Sequence, residues 1–547
     1  MTFDSLAMNP EAVYRSILTP LTFIKRNAKV YSHKVAIIYK QNRFTYAEFA
    51  ERINRLASAL RHGGLEKGDR VAFFCFNTPP MLEAHFAVPL AGGVLVSINT
   101  RLAPQEVAYI LNDCGAKFLF VDTELANVIR PIQDSLTTVK QIINISDIAE
   151  FEPLEGEDYE AFIQTGSNAE LPWLIADEME TISINYTSGT SGKPKGVMYS
   201  HRGAYLNSLG EIIETTLTPN SVYLWTLPMF HCNGWCFTWA VTAIGGTHIC
   251  LRKFHPSTVW NLIAQEKVTH FNAAPVVLIS LLNHPNCPQV LAAPLTITTA
   301  GAPPSPTLIA KISEMGAKII HVYGLTEVYG PYTVCEYQSN WEDLEIAEKA
   351  KLMARQGVPY IGADGLRVVD KNMHDVPADG RTMGEVVMQG NMVMTGYYND
   401  PKTTERAFHG GWFHSGDLAV MHPDGYIEVR DRMKDIIITS GENVSSIEVE
   451  QCLYRHEAVL ECAVISIPHP KRGEVPKAFV TLKEGMQVTE QELVQFCRSQ
   501  IAGFKCPNAI EFTSLPKTST GKIQKYLLRE KAWVGHDKKI FGAEVDC

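Results

Sequence analysis

Residues 70–76 read Arg-Val-Ala-Phe-Phe-Cys-Phe, an arginine followed by an unbroken apolar run. A strand with one wet face would alternate apolar and polar residues. This one does not, so it is buried on both faces and helices must cover both sides of its sheet. The flanking sequence supplies them. Thr45-Tyr46-Ala47-Glu48 is a capping-box pattern, and Phe49, Ile53, Leu56 and Leu60 follow at helical spacing. Residues 77–80 open a second helix, with Pro79 and Pro80 tolerated in its first turn. Residues 94–98 and 117–121 read as further strands, with a helix over 104–112 between them. Strands alternating with helices predict an α/β fold with parallel pairs. At 547 residues the chain exceeds what one core organises, so more than one domain is expected. The character changes after Asp435. Capping-box starts at Ser445 and Thr489 and strands over 464–467 and 478–482 predict a small α+β unit of about a hundred residues.

The alternating strand 181–186 runs into Thr187-Ser188-Gly189-Thr190-Ser191-Gly192-Lys193-Pro194-Lys195-Gly196. Glycines let backbone N–H groups turn toward an anion, hydroxyls donate hydrogen bonds, and lysines add mobile positive charge. The stretch therefore suits a phosphate cradle, although composition alone fits a flexible surface loop as well. It is not a P-loop. Gly189 and Gly192 stand too close together, and Pro194 would stop the helix that a P-loop must open. Five further stretches follow in order: 227–236 with His231 and Trp235, 299–303 with Gly301, Ala302 and Pro303, 321–327 with Tyr323, Gly324, Thr326 and Glu327, 414–435 with Asp417, Arg432 and Lys434, and 515–522 ending on Lys522. Each alone is an ordinary buried or solvated segment.

Together, in this order, they resemble the motifs of the acyl-adenylate-forming enzymes: acyl-CoA synthetases, aryl-CoA ligases, luciferases and peptide-synthetase adenylation domains. The resemblance covers essentially the whole chain. It implies a large α/β N-terminal domain of several subdomains over 1–431 and a small mobile α+β lid over 432–547. By the resemblance, residues 187–192 and Lys195 hold the phosphates of ATP. Gly301, Ala302 and Pro303 lie beside adenine, Tyr323 stacks on it, and Thr326 contacts the α-phosphate. Asp417 and Arg432 serve the ribose. Thr187 and Glu327 hold Mg²⁺, which prefers hard oxygen donors. His231 borders the acyl carboxylate, Trp235 gates the acyl pocket, and Gly301 and Gly324 line it. Lys434 is the hinge, and Lys522 is the catalytic lysine of the first step. One departure is Ile438, which stands where some relatives carry a second lysine.

The implied activity joins a carboxylic acid to CoA through acyl-AMP, with ATP, Mg²⁺ and CoA, releasing AMP and pyrophosphate. Acetyl-CoA synthetases carry a tryptophan where Gly324 stands. The missing bulk implies a medium-chain fatty acid, or an aryl or branched acid of similar size, with activity rising from acetate to hexanoate or octanoate. Three alternatives stay open: an acyl-AMP ligase that loads a carrier protein, a luciferase-like oxygenase, and a non-catalytic nucleotide-binding protein on the same fold. No carrier domain follows the lid, which favours free CoA. A net charge of −10 without a basic block argues against nucleic acid. Twelve cysteines, mostly in apolar contexts, are no disulfide framework, and no second pair near His231, Cys232 and Cys236 completes a zinc site. The longest apolar run, 87–96, is too short to span a bilayer and residues 1–14 carry no secretory pattern, so a cytoplasmic location is expected. By analogy with fatty acyl-CoA synthetases, a homodimer is admissible.

Overall fold

The structure is a computed structural model that describes residues 16–187, 193–440, 442–517 and 522–534. The helix Tyr46–His62 begins where the capping box places it. The Glu48 backbone N–H donates to Thr45 Oγ1 at 3.2 Å, and the Thr45 N–H donates to Glu48 Oε2 at 2.7 Å. Its Phe49, Ile53, Leu56 and Leu60 are buried. The helix Pro79–Ala91 starts on two prolines and is buried on every side, with its two polar residues partnered, Glu83 by Arg52 and His85 by the Met81 carbonyl. It ends where Gly92, at φ +91°, takes the left-handed conformation that a side chain resists.

The strand Arg70–Phe74 lies inside an eight-stranded sheet, parallel to Val94–Ser97 on one side and to Ala116–Asp122 on the other. Beyond Val94–Ser97 come Thr181–Thr187, then the antiparallel Lys195–Ser200 and the short edge strand Gly396–Tyr397. A nine-stranded sheet stands beside it. Its interior, from Val35–Tyr39 through Thr247–Ile249, Val222–Leu224, His270–Ala273 and Thr296–Thr299 to Lys318–Leu325, is parallel throughout. Parallel sheets bind ligands outside the carboxyl ends of their strands, and the motif residues collect there. A four-stranded antiparallel sheet of Gly365–Val369, Met383–Gln389, Phe413–Met421 and Ile427–Arg432 completes the large domain.

The smaller C-terminal domain has its own sheet, in which Gly473–Leu482 pairs antiparallel with Val459–His469 and parallel with Ala509–Phe512. The helix Ser446–Leu453 is capped by Ser445, and Glu490–Gln500 carries a full capping box from Thr489. Ile437, Val449, Leu453, Val480 and Leu493 form a core separate from that of the large domain. Among the described residues no helix is long and apolar enough to cross a membrane.

Candidate active site

The strand Thr181–Thr187 ends on Thr187, and Lys195 opens the partner strand opposite it in register. Between them Ser188, Gly189, Thr190, Ser191 and Gly192, the expected phosphate cradle, lie outside the described residues. Lys195 projects its ammonium over the Tyr397 ring, 5.1 Å from the centroid. The Tyr397 hydroxyl donates to Glu327 Oε1 at 2.9 Å, and the Met394 N–H donates to the Glu327 carbonyl at 2.8 Å. Burial raises the Glu327 carboxyl, against which the Tyr397 hydrogen bond and the charges of Arg432 and Lys195 act. An incoming cation would favour the ionised form further. Glu327 and the Thr187 hydroxyl are hard donors of the kind Mg²⁺ takes, and no cluster of three His, Cys, Asp or Glu capable of caging a metal occurs among the described residues.

Strand Lys318–Leu325 delivers Tyr323, whose hydroxyl donates to Asp417 Oδ2 at 2.8 Å. Asp417 is 5% exposed and sits opposite Arg432 in the antiparallel ladder, with 3.5 Å between Arg432 Nε and its Oδ1. Tyr323, Asp417 and Arg432 thus form one group, although Tyr323 and Asp417 are 94 residues apart in sequence. Gly301 follows strand Thr296–Thr299 at φ +86°, with nothing within 4 Å of where a Cβ would stand. It and Ala302 are exposed and Pro303 is half-buried, leaving the open shelf that a flat base needs.

Thr326 and Glu327 fall in a single 3-10 turn, Thr326–Val328, anchored by the Tyr199 hydroxyl donating to the Thr326 carbonyl at 2.7 Å. Thr326 Oγ1 accepts from the Cys232 thiol at 3.4 Å. This ties the turn to a segment whose conformation the sequence did not announce. Cys232, Asn233, Gly234, Trp235 and Cys236 all have positive φ, between 45° and 62°. Left-handed helix costs about 1–2 kcal/mol per residue with a side chain, so the turn needs strong anchors. Asn233 Oδ1 accepts from Ser183 Oγ and from Asn185 Nδ2, both at 2.6 Å, and its own N–H donates to Asn185 Oδ1 at 3.1 Å. His85 Nε2 lies 3.0 Å from Asn233 Nδ2. The only hint in the sequence is Gly234, which has room for no Cβ because the Trp225 ring stands 2.6 Å from that position.

Trp235, the expected gate of the acyl pocket, is 5% exposed and packs against Gly330, where a Cβ would lie 3.0 Å from Trp235 Cδ1. Gly324 needs a correction. A Cβ there would come 1.7 Å from the Gly330 carbonyl oxygen of the paired strand Gly330–Val334. The close approach of two backbones, not only the shape of an acyl pocket, demands glycine. A tryptophan at this position would have to displace a strand.

The C-terminal domain contributes Lys522, which is half-buried. Burial pushes its ammonium down to about 7; the charges of Arg432, Lys434 and Lys525 act in the same direction and Asp417 opposes them. His231 is lowered to about 4 by burial and by the charge on Lys522, so its imidazole is neutral at pH 7. The charge of Lys522 thus reaches His231, and the charges of Asp417 and Arg432 of the large domain reach Lys522. The hinge candidate Lys434 is exposed, and its carbonyl accepts from Arg529 Nη1 at 3.3 Å. Sequence reasoning missed Tyr397, Cys232 and the Asn233 anchor. Polar residues in apolar runs announce burial but not partners.

The model of the AMP-binding enzyme family matches residues 24–398, and that of the AMP-binding enzyme C-terminal domain matches residues 448–522. A 4-hydroxybutyrate–CoA ligase of Metallosphaera sedula is 43% identical over 530 residues, covering 96% of each chain. A peroxisomal acetate/butyrate–CoA ligase of Arabidopsis thaliana is 43% identical over 541 residues, covering 94% of each. The crystal structure of an anthranilate CoA ligase in complex with anthranoyl-AMP superposes with a TM-score of 0.85 at 26% identity, covering 96% of this chain and 99% of that one.

Proposed function

The chain belongs to the AMP-binding enzyme family and is an AMP-forming acid–CoA ligase that uses ATP, Mg²⁺ and CoA, and from that premise we propose which acid it takes and which residues do the work. The acid is larger than acetate, from butyrate up to a medium-chain fatty acid or an aryl or branched acid of similar bulk. Of the relatives, one is named for 4-hydroxybutyrate and one for acetate or butyrate, so four-carbon acids support the short end of this range while acetate lies outside it.

In the first step a carboxylate oxygen bonds to the α-phosphorus of ATP as the bond to pyrophosphate breaks. An anion must approach an anion, so positioning and charge neutralisation carry the catalysis. The 187–196 loop holds the outer phosphates. Glu327, with Thr187, holds Mg²⁺, which neutralises phosphate charge. Thr326 contacts the α-phosphate, and Gly301, Ala302, Pro303, Tyr323, Asp417 and Arg432 seat the nucleoside. Lys522 places its ammonium between carboxylate and α-phosphate. A neutral His231 beside it leaves a single cation at the carboxylate. In the second step the lid, 432–547, turns about Lys434 and withdraws Lys522. The CoA sulfur then attacks the acyl carbon, AMP leaves, and the thiol proton passes to solvent.

The observation that supports this reading is the group of Tyr323, Asp417 and Arg432 joined by the 2.8 and 3.5 Å contacts, with the charge of Lys522 from the second domain reaching it. Pyrophosphate release with acids from acetate to octanoate, with and without CoA, tests it. Slow release without CoA and turnover to acyl-CoA with it are expected, with kcat/KM for acetate below that for butyrate. Release of pyrophosphate without acylation of CoA would point instead to a carrier-protein acceptor. A cytoplasmic location belongs to this reading too, and fractionation against a peroxisomal marker checks it.

A further inference from the structure

The helix His201–Glu214 turns Asn207, Ser208 and Glu211 toward the nine-stranded sheet, and none of the three is exposed. Across from them stand Tyr223 and Asn272, also buried. Tyr223 faces His270 in the parallel ladder, and the two-residue period puts Asn272 on the same face as His270. That face is the one toward the helix, because His270 Nε2 lies 3.2 Å from the Thr215 carbonyl at the helix end. Four side-chain atoms in this layer have no hydrogen-bond partner of good geometry: Glu211 Oε1, Asn207 Oδ1, Asn272 Nδ2 and Tyr223 OH, the last near the Asn272 backbone. The remaining groups are held. Tyr360 donates to Glu211 Oε2 at 3.2 Å, and Asn207 Nδ2 donates to the Pro331 carbonyl at 3.4 Å.

Buried polar atoms are nearly always paired, so four orphans in one layer call for a guest. The layer adjoins the acyl site. Pro331, which holds Asn207, follows Gly330, the residue against which Trp235 packs. Tyr223 stacks on Phe237 and meets Trp225, with ring centroids 5.1 and 4.8 Å apart, and Trp225 supports Gly234. Trp235, Gly234 and Phe237 belong to or directly follow the turn that starts at His231. Burial raises the Glu211 carboxyl well above its usual range, and a carboxyl in its protonated form both donates and accepts.

We propose that this layer is the far end of the acyl pocket, and that Glu211, Asn207, Tyr223 and Asn272 select an acid whose chain ends in an uncharged hydrogen-bonding group, a hydroxyl foremost. The inference rests on the ligase reading above, with the carboxylate at His231. A terminal hydroxyl would satisfy atoms that a methyl group leaves unpaired, the situation in which enzymes discriminate most strongly between near-isosteres.

The test compares 4-hydroxybutyrate with pentanoate, which replaces the hydroxyl by a methyl at the same chain length. kcat/KM is read from pyrophosphate release with ATP and CoA. The wild-type protein should favour 4-hydroxybutyrate by about 10²-fold, inside the range open to a site with buried polar groups. Glu211→Leu should bring that ratio to about one or invert it, and Glu211→Gln should keep most of it. Tyr223→Phe removes only a hydroxyl and should lower the ratio even if the Leu variant folds poorly. A wild-type preference for pentanoate, or variants that slow both acids equally, would overturn the proposal and leave a structural layer filled by water. If wild-type protein released pyrophosphate with neither acid while turning over others, the pocket would lie elsewhere and the proposal would fall with the ligase reading intact. Failure with every acid would remove the ligase reading itself.

Discussion

Burial, reinforced by the positive charges of Arg432, Lys434 and Lys525, pulls the Lys522 ammonium from its ordinary range down to about 7. A lysine with a lowered value is charged below it and loses its proton as pH rises through it. If adenylation needs the ammonium, kcat/KM for pyrophosphate release should fall above about pH 7. The bound phosphates favour the charged form, so kcat should hold to higher pH. Lys522→Arg should flatten that limb, because a guanidinium stays charged throughout, at a lower plateau set by its different shape. Lys522→Ala should slow acyl-AMP formation by about 10²–10³-fold, the scale for one electrostatic donor, while sparing transfer from supplied acyl-AMP to CoA. Equal loss in both half-reactions would remove Lys522 from the first step. Gly324 teaches a related lesson. Its sequence neighbours explain nothing about it, and the Gly330 carbonyl explains why no side chain fits.

Two elements set the geometry around that residue. The left-handed turn from Cys232 to Cys236 is held by Asn233, which gathers Ser183, Asn185 and His85. Its strain is spent on presenting His231 and turning Trp235 inward. The second element is the C-terminal helix Lys525–Ala532. Lys525 Nζ reaches Ser446 Oγ at 2.6 Å and Glu450 Oε1 at 2.7 Å, and Arg529 pairs with Asp435 and with the Lys434 carbonyl. This helix clamps the segment around Lys434, the proposed hinge, through Arg529. Lys434→Pro fixes φ near −65° and removes the freedom that rotation needs. Acyl-AMP should still form in that variant, and acyl transfer to CoA should fall by an order of magnitude or more. Normal thioester formation, measured by acyl-CoA release, would show that the lid does not turn there.

At the scale of the whole molecule, Arg252 joins the two large sheets. It leaves the nine-stranded sheet just after Thr247–Ile249 and binds Asp122, the last residue of a strand in the eight-stranded sheet, through two bonds of 2.6 Å. Glu124 at 2.9 Å and Asp147 at 3.0 Å complete the group, and the guanidinium lies 4.5 Å from the Phe76 ring centroid. Asp122 has no exposed side-chain surface. Arg252→Ala would strand a buried charge and should cost about 3–5 kcal/mol, read as a lower urea midpoint. Arg252→Lys should recover little, since an ammonium cannot make the paired bonds. An unchanged midpoint in Arg252→Ala would show that the sheets are held by apolar packing alone.

Much of the fold was legible because its causes are local. The capping boxes at Thr45 and Thr489, the prolines opening Pro79–Ala91 and the apolar run at Arg70–Phe74 each act within a few residues, so the sequence determined these elements. The motif order likewise pointed to the family, and the phosphate loop follows a strand, Thr181–Thr187, that local patterning had already placed. What the sequence could not carry is any contact made across the chain. Tyr323 with Asp417, Tyr397 with Glu327 and Lys522 with His231 are partners only because separate sheets and a second domain meet. The same holds for the orphaned atoms of Glu211, Asn207, Tyr223 and Asn272. A buried polar residue in sequence looks like one more satisfied core group, and only packing decides whether its partner is the protein or a space left for a substrate.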